Sequence, residues 1–409
     1  MRLIHLANFN STNIGNGALI FGTERVLQED LGPGLEFLAE AWDDYTFELK
    51  KFDQDFVDLV NRKSDALLVG GAVSFNGRPY LKNAGFRLDL PLELLKKIEK
   101  PIIFYGISYK FWPGQKYYHL DKLKLALDYL LASPRVFFGV RNDGAKDWLE
   151  SLVGYKSNQI IEIPDPAVYV PVKDSNHPEL VAGKKNVIIS LNNEDEVYRF
   201  GGEFRKRTWD ILAPRLEEKK LIRWWKRLPG WDSRRKKFLG ELAQAIKKLA
   251  QEWDLNLILC PHYFDDYTTM SEFLPFFSRG VDSIRILHQV MVSRGLLRVP
   301  QTPYFYDLYA KADLALSMRI HSMSPAIGLG TPVVPLVSQS RMSDFLEKAS
   351  LSDIGVDIFG GDVVNQVYKL ASAALADRVS AAQKLRTAAA AMRDETFSFN
   401  RKISAILAS

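Results

Sequence analysis

The chain has one cysteine, Cys260. An intrachain disulfide and a cysteine-rich metal site are therefore both excluded. Long apolar runs are missing too: nothing approaches the ~20 consecutive apolar residues that a membrane-spanning helix requires. The opening stretch, Met1-Arg2-Leu3-Ile4-His5-Leu6-Ala7, is too short in its apolar part to be read as a secretion signal. There is no internal repeat, no low-complexity tract and no recognised nucleic-acid motif. These absences lead to the expectation of a cytoplasmic protein that does not bind nucleic acid. A strong excess of one charge is also lacking, with 54 Lys and Arg against 49 Asp and Glu.

That near balance conceals one local departure. Between Glu203 and Phe238 there are 13 Lys and Arg against 5 Asp and Glu, a local charge of +8 in a chain whose formal net charge is only +5. Trp209, Trp224, Trp225 and Trp231 lie among these cations. Two readings are open: peripheral contact with an anionic membrane, for which basic residues and tryptophan are suited, or a surface insertion whose tryptophans pack onto the domain.

The 409-residue chain as a whole has an ordinary globular balance, 47 % hydrophobic and 25 % charged, and a length that suggests two domains. Short apolar runs alternate with helical patterns throughout. Leu3–Ala7, Ala66–Val69, Pro101–Tyr105, Val136–Val140 and Ile160–Ile163 read as buried strands. Helices are expected over Ala18–Leu27, over Asp89–Lys97 with Asp89 as N-cap, along the Leu120–Leu131 stripe and over Ala145–Leu152. Such alternation predicts a doubly wound parallel sheet. Pro171–Lys185 reads as a boundary. Asn186–Leu191, Leu255–Cys260, Ile284–Leu287, Leu314–Leu316 and Val333–Val337 then supply the strands of a second sheet. The expected organisation is an N-terminal α/β domain over 1–175, a C-terminal α/β domain over 186–375 with the basic, Trp-rich insertion at 199–237, and a helical segment over 376–409.

Chemistry concentrates where strands end. Arg319 and His321 follow one C-terminal strand and Arg341 follows the next. In open α/β sheets, ligands bind outside the carboxyl ends of strands. Two guanidiniums there suit an anion, and an imidazole can move a proton near neutral pH. The polar, glycine-bearing loop from Asn8 to Gly17 leads into a helix N-terminus, where free N–H groups can meet an anion or a sugar hydroxyl. Gly70-Gly71 marks a place where backbone comes close to something. His262 with Asp265 and Asp266 has no second histidine at ligand spacing, so no metal is expected.

Several pieces, taken in order, resemble the polysaccharide pyruvyltransferase family: Asn13-x-Gly15-x-x-Ala18, Gly70-Gly71, Gly106-Ile107, Arg141-x-Asp143, Asp165-Pro166, Met318-Arg319-Ile320-His321 and Gly330-x-Pro332. The chain departs from the family pattern in having Asn16 where an Asp is usual, Asn142 between Arg141 and Asp143, and Arg341 where a Lys is expected. The resemblance implies a GT-B-like fold, with two doubly wound parallel-sheet domains facing a central cleft. It implies transfer of the enolpyruvyl group of phosphoenolpyruvate onto a sugar of a polysaccharide or its lipid-linked precursor, giving a pyruvate ketal and phosphate. By the same resemblance, Arg141 and Arg319 hold the donor's carboxylate and phosphate, Arg341 neutralises the leaving phosphate, and His321 is the acid and base. The acceptor is expected near Asn13, Gly15, Asn16, Gly70 and Gly71, with no metal or other cofactor. The alternatives are a GT-B glycosyltransferase using a sugar nucleotide and an inactive carbohydrate-binding relative.

Overall fold

The computed structural model describes residues 1–112, 115–154, 156–200, 232–277, 290–292 and 298–407. Its short aliphatic runs pair side by side into two parallel sheets. The first is built from β1 (Arg2–Ala7), β2 (Glu36–Ala41), β3 (Ala66–Gly70), β4 (Val73–Phe75), β5 (Ile102–Tyr109), β6 (Val136–Arg141) and β7 (Ile160–Ile163). The second is built from β8 (Lys185–Ser190), β9 (Leu255–Leu259), β10 (Val290–Val292), β11 (Leu314–Ser317), β12 (Val333–Val337) and β13 (Val356–Asp357). The strand orders are β2-β1-β3-β5-β6-β7, with β4 against β5, and β10-β9-β8-β11-β12-β13. Both orders reverse, between β1 and β3 in one sheet and between β8 and β11 in the other. The two reversals are the places where a crevice opens at the carboxyl ends.

β3, β5, β9 and β11 are buried along their whole length, as sheets covered by helices on both faces require. One core lies within each domain, around Phe75, Phe104 and Phe138 in the first and Leu242, Leu257 and Phe273 in the second. A third apolar cluster joins them: Ile14, Ala18 and Leu19 of the first helix pack with Ala167 and Val168, Phe305, Ile320 and Met323. The C-terminal helix, Arg378–Leu407, returns to the first domain. There Asn400 accepts a hydrogen bond from the buried Tyr105 hydroxyl at 2.9 Å, and Phe399 and Ile403 pack beside Leu3 and Val26.

Several local expectations are corrected. The first helix starts earlier, at Ile14, because the Asn13 side chain accepts from the Gly15 N–H and caps it. The helix expected over Asp89–Lys97 shrinks to Leu92–Leu95. Asp89 does not cap it; its carboxylate takes the N–H groups of Asn83 and Ala84 instead. The edge strand β2 has no counterpart in the sequence reading, since glutamates at positions 36 and 40 break its apolar pattern. The strand expected over Ile284–Leu287 and the greater part of the basic segment, including all four of its tryptophans, lie outside the described residues. At the ends of that segment Arg199 and Arg235 are both buried, and Arg235 bonds Glu196 and Glu272.

Candidate active site

Proline chemistry sets the histidine. Pro325 has no N–H, and its ring clashes with the carbonyl four residues earlier, which is that of His321. His321 accordingly leaves helical geometry, at φ −85° and ψ 15°, inside the Ile320–Leu329 helix. Its freed carbonyl accepts a hydrogen bond from the Tyr306 hydroxyl at 2.5 Å. The helix stops at Gly330, φ +70°, a left-handed position suited to glycine. The imidazole is thereby presented at the carboxyl end of β11, opposite the first domain. Gly15 is what lets it sit there: a Cβ at that position would lie 2.8 Å from His321 Cβ and 2.9 Å from Nδ1.

A cavity of about 330 Å³ lies between the two domains. Among the described residues, its charged lining consists of Arg78, Arg87, Lys110, Arg199, Arg319 and Arg341 against the single carboxylate Glu194. Asn13, Asn16, His262 and His321 also line it. Most of the C-terminal-domain groups follow a strand end: Glu194 after β8, His262 after β9, Arg319 and His321 after β11, Arg341 after β12; Arg199 lies on the short helix Glu196–Phe200.

The guanidiniums are held by buried acids. Arg319 bonds both oxygens of Asp266, at 2.9 and 2.5 Å, and Glu194 at 3.0 Å. Arg341 makes two bonds to Asp143 Oδ2, at 2.9 and 2.6 Å, reaching across from the second domain to the first. Ser108 donates to the same carboxylate. Against a burial penalty, Lys110, Arg319 and Arg199 hold the Glu194 carboxyl down to about 2. Burial lowers Arg199 to about 10, countered by Asp195 and Glu194. Its guanidinium donates to Ser338 Oγ and the Glu194 carbonyl.

Arg141, expected to hold a donor anion, is fully buried and does not line the cavity. It stands behind the histidine. Its Nη1 is 3.0 Å from His321 Nε2, and its Nε and Nη2 donate to the Gly106 carbonyl. A guanidinium can only donate, so Nε2 is the acceptor and the neutral ring carries its proton on Nδ1. Asp165 Oδ2 lies 3.6 Å from the same Nε2. Burial and then Arg141 and Arg341 push the His321 pKa well below its ordinary value. The ring still reaches the cavity, with 16 % of its side chain exposed.

The acceptor-side residues divide. Asn13, beyond capping its helix, faces the cavity, as does Asn16, whose amide donates to Ser11. Gly70 and Gly71, expected on the acceptor side, do not line it. A Cβ on Gly70 would stand 2.3 Å from His5 Nε2, and one on Gly71, φ +43°, 2.6 Å from Leu19 Cβ; both glycines serve close packing.

Glu194, Lys110, Arg199 and His262 are the residues sequence reasoning missed or undervalued. The first two sit just past the ends of β8 and β5, so the strand-end rule that found Arg319 also reaches them. His262 is wholly buried. Its Nε2 pairs with the Tyr309 hydroxyl at 2.7 Å, and its Nδ1 has no hydrogen-bond partner among the described residues. Tyr309 continues to Ser322 and Ser322 to Ser317. Burial and then Arg319 keep this ring neutral. No cluster of three or more metal-binding side chains occurs among the described residues; Asp266, beside His262, is taken up by Arg319.

Comparison with known proteins bears on this site. A family model described as polysaccharide pyruvyl transferase matches residues 13–340. No curated protein matches the chain. Among solved structures, a putative UDP-N-acetylglucosamine 2-epimerase from Listeria monocytogenes is similar, with 12 % identity over 94 % of this chain and 90 % of its own and a TM-score of 0.50. The UDP-GlcNAc 2-epimerase from Methanocaldococcus jannaschii is similar at 12 % identity over 92 % of this chain and 93 % of its own, also with a TM-score of 0.50. These likenesses concern the fold, which is GT-B-like.

Proposed function

Since the chain belongs to the polysaccharide pyruvyl transferase family, we propose that its donor is phosphoenolpyruvate and that it builds a pyruvate ketal across two hydroxyls of a sugar. One observation carries most weight: a histidine held by an arginine at 3.0 Å opens onto a cavity lined, among the described residues, by six cations and one carboxylate. The donor carries a carboxylate and a phosphate, and guanidiniums and ammonium groups bind both in charge-assisted hydrogen bonds. Arg319 and Arg341, already oriented by Asp266 and Asp143, offer pre-positioned positive charge where the phosphate leaves.

Atoms balance as follows. The donor methylene takes a proton and becomes a methyl group. One acceptor hydroxyl adds to the neighbouring carbon, the bond from that carbon to the phosphate oxygen breaks, and the second hydroxyl closes the ketal. Of the two hydroxyl protons, one ends on the methyl group and the other departs with phosphate. His321 serves as the shuttle. In the resting arrangement its Nε2 lone pair is occupied by Arg141 and its proton affinity is low. The donor's negative charge offsets the surrounding cations and draws Arg141 toward itself, freeing Nε2 to accept a hydroxyl proton. Donor binding thus switches the base on. No metal enters this scheme, because side-chain cations supply the charge.

The acceptor is a polysaccharide or its lipid-linked precursor. Support for the lipid-linked form comes from composition alone, the +8 charge and four tryptophans between Glu203 and Phe238; peripheral contact with an anionic membrane surface is part of this reading. Retention of the protein on anionic vesicles at low salt, lost as salt rises, is the expected result.

Inorganic phosphate is measured after the protein is incubated with phosphoenolpyruvate and candidate sugars. Sugar-dependent release is expected. Release of a nucleotide from a sugar nucleotide instead would assign a glycosyltransferase, and no release with any sugar would leave a binding protein.

A further inference from the structure

A second hollow, of about 670 Å³, opens in the first domain beside the central cavity. Tyr80 and Arg87 line both, so the two spaces adjoin. The hollow is formed mainly by the helix Trp42–Thr46, which follows β2 directly, and by the turn after it. Five aromatic rings line it: Trp42, Tyr45, Phe47, Phe52 and Tyr80. Three of them are already committed. Tyr45 stacks on Phe52, with centroids 4.0 Å apart and planes at 9°, and Arg87 covers Trp42 at 4.4 Å. Phe47 and Tyr80 are left turned outward, 72 % and 49 % exposed. Beside them Glu48 holds φ +60°, a costly conformation for a residue with a side chain.

Large exposed rings at the mouth of a cavity mark a binding surface. Interleaved polar groups decide its chemistry. Thr46, Glu48, Lys51, Asn83 and Asp89 share the lining, and Lys50, Glu48 and Asp53 leave no dominant charge. A lipid chain would want an unbroken apolar wall. A sugar ring presents C–H bonds on its faces and hydroxyls around its rim, which fits flat rings edged by amides and carboxylates. We infer that this hollow is an acceptor subsite holding the saccharide unit next to the one that receives pyruvate, so that the acceptor extends over at least two sugars. The inference rests on the proposed pyruvyl transfer for what happens in the neighbouring cavity. Arg87, held by Asn8 Oδ1 at 2.8 Å, stands at the junction and faces the linkage between the two units.

The test is an array displaying mono-, di- and oligosaccharides, probed with the full chain as wild type, Phe47→Ala and Tyr80→Ala, with calorimetry of phosphoenolpyruvate alongside. Phe47 is a surface side chain that does not line the central cavity, so its replacement leaves both the fold and donor binding in place. Wild type should retain glycans of two or more units and release the monosaccharides. Each variant should bind the retained glycans about tenfold more weakly, equivalent to ~1.4 kcal/mol. Phe47→Ala should match wild type in donor affinity. The inference is overturned if wild type retains no glycan, if it holds monosaccharides as firmly as longer chains, or if Phe47→Ala binds like wild type. It is overturned too if Phe47→Ala loses only retention on polyprenyl phosphate micelles, which would assign the hollow to a lipid. A wild type that binds glycans through Phe47 but ignores phosphoenolpyruvate would sink the pyruvyl-transfer reading and leave the subsite standing.

Discussion

At the scale of single residues, His321 and Arg141 act as a pair that can be separated experimentally. His321→Gln keeps the hydrogen-bond acceptor near Arg141 but cannot take up a proton. Turnover should fall by roughly 10²–10⁴, and calorimetry should find donor affinity little changed; a variant with wild-type turnover would remove His321 from the chemistry. Arg141→Met is expected to behave differently. It withdraws a neighbouring cation that holds the His321 pKa down, so that pKa should rise toward the ordinary value. The acidic limb of the pH–rate profile, which reports when the base becomes free, should then move to higher pH. A lower rate with an unmoved limb would mean that Arg141 does not govern the proton. The strand-end pattern made Arg319, His321 and Arg341 legible in the sequence. Their counter-ions were not, because Glu194 lies 125 positions from Arg319 and Asp143 198 positions from Arg341. No local spacing encodes which carboxylate a guanidinium will meet across a cleft. The burial of Arg141 was hidden for the same reason: its position after β6 was readable, but the turn that places it behind His321 was not.

At the scale of elements, the site depends on how closely the Ile320–Leu329 helix lies on the Pro166–Tyr169 turn. Gly328 makes that approach. A Cβ there would stand 1.7 Å from the Val168 carbonyl oxygen, and backbone cannot yield as a flexible side chain does. Gly328→Ala should therefore cost about 1–3 kcal/mol of stability, the usual range for overpacking, read as a lower midpoint in urea. Because the helix would be pushed outward, His321 should shift with it, and turnover should drop at temperatures where the variant is still folded. Full stability in this variant would show that the two elements are not pressed together. Most strands were readable because sheets covered on both sides demand unbroken aliphatic runs, such as Leu67-Leu68-Val69 and Leu314-Ala315-Leu316. β2 escaped because an edge strand tolerates Glu36 and Glu40. Gly330 ends its helix in a left-handed conformation that favours glycine. Asp89 misled, because an acidic residue two positions before a proline looks the same whether it caps a helix or ties down the loop before it.

At the scale of the whole molecule, the domains meet through opposite charges, as between Arg341 and Asp143, and also through like ones. Asp344, on the Ser340–Lys348 helix of the second domain, approaches Asp143 and Asp147 of the first. Burial and then repulsion from Asp143, Glu347 and Asp147 raise its pKa to about 6. Linkage gives the sign. Between the unfolded value near 3.8 and about 6, the folded chain binds more protons at this group than the unfolded chain does. Its contribution to stability therefore declines as pH rises through that window, and the full penalty is present above it. The sequence could show that two α/β halves existed and that a helical segment followed them. It could not show that this segment would cross back to the first domain, nor that three acids would crowd one another where the halves touch. Asp344→Asn removes the titrating group and keeps its shape. The melting temperature should rise relative to wild type at pH 7–8, and the gain should shrink through pH 6–4 until it is lost. Solvent screens the half-exposed group, so the gain should be modest and should diminish in high salt. A gain of the same size at pH 4 and pH 8 would trace it to packing or hydrogen bonding. No gain at either pH would mean that the two domains do not hold these carboxylates together in solution.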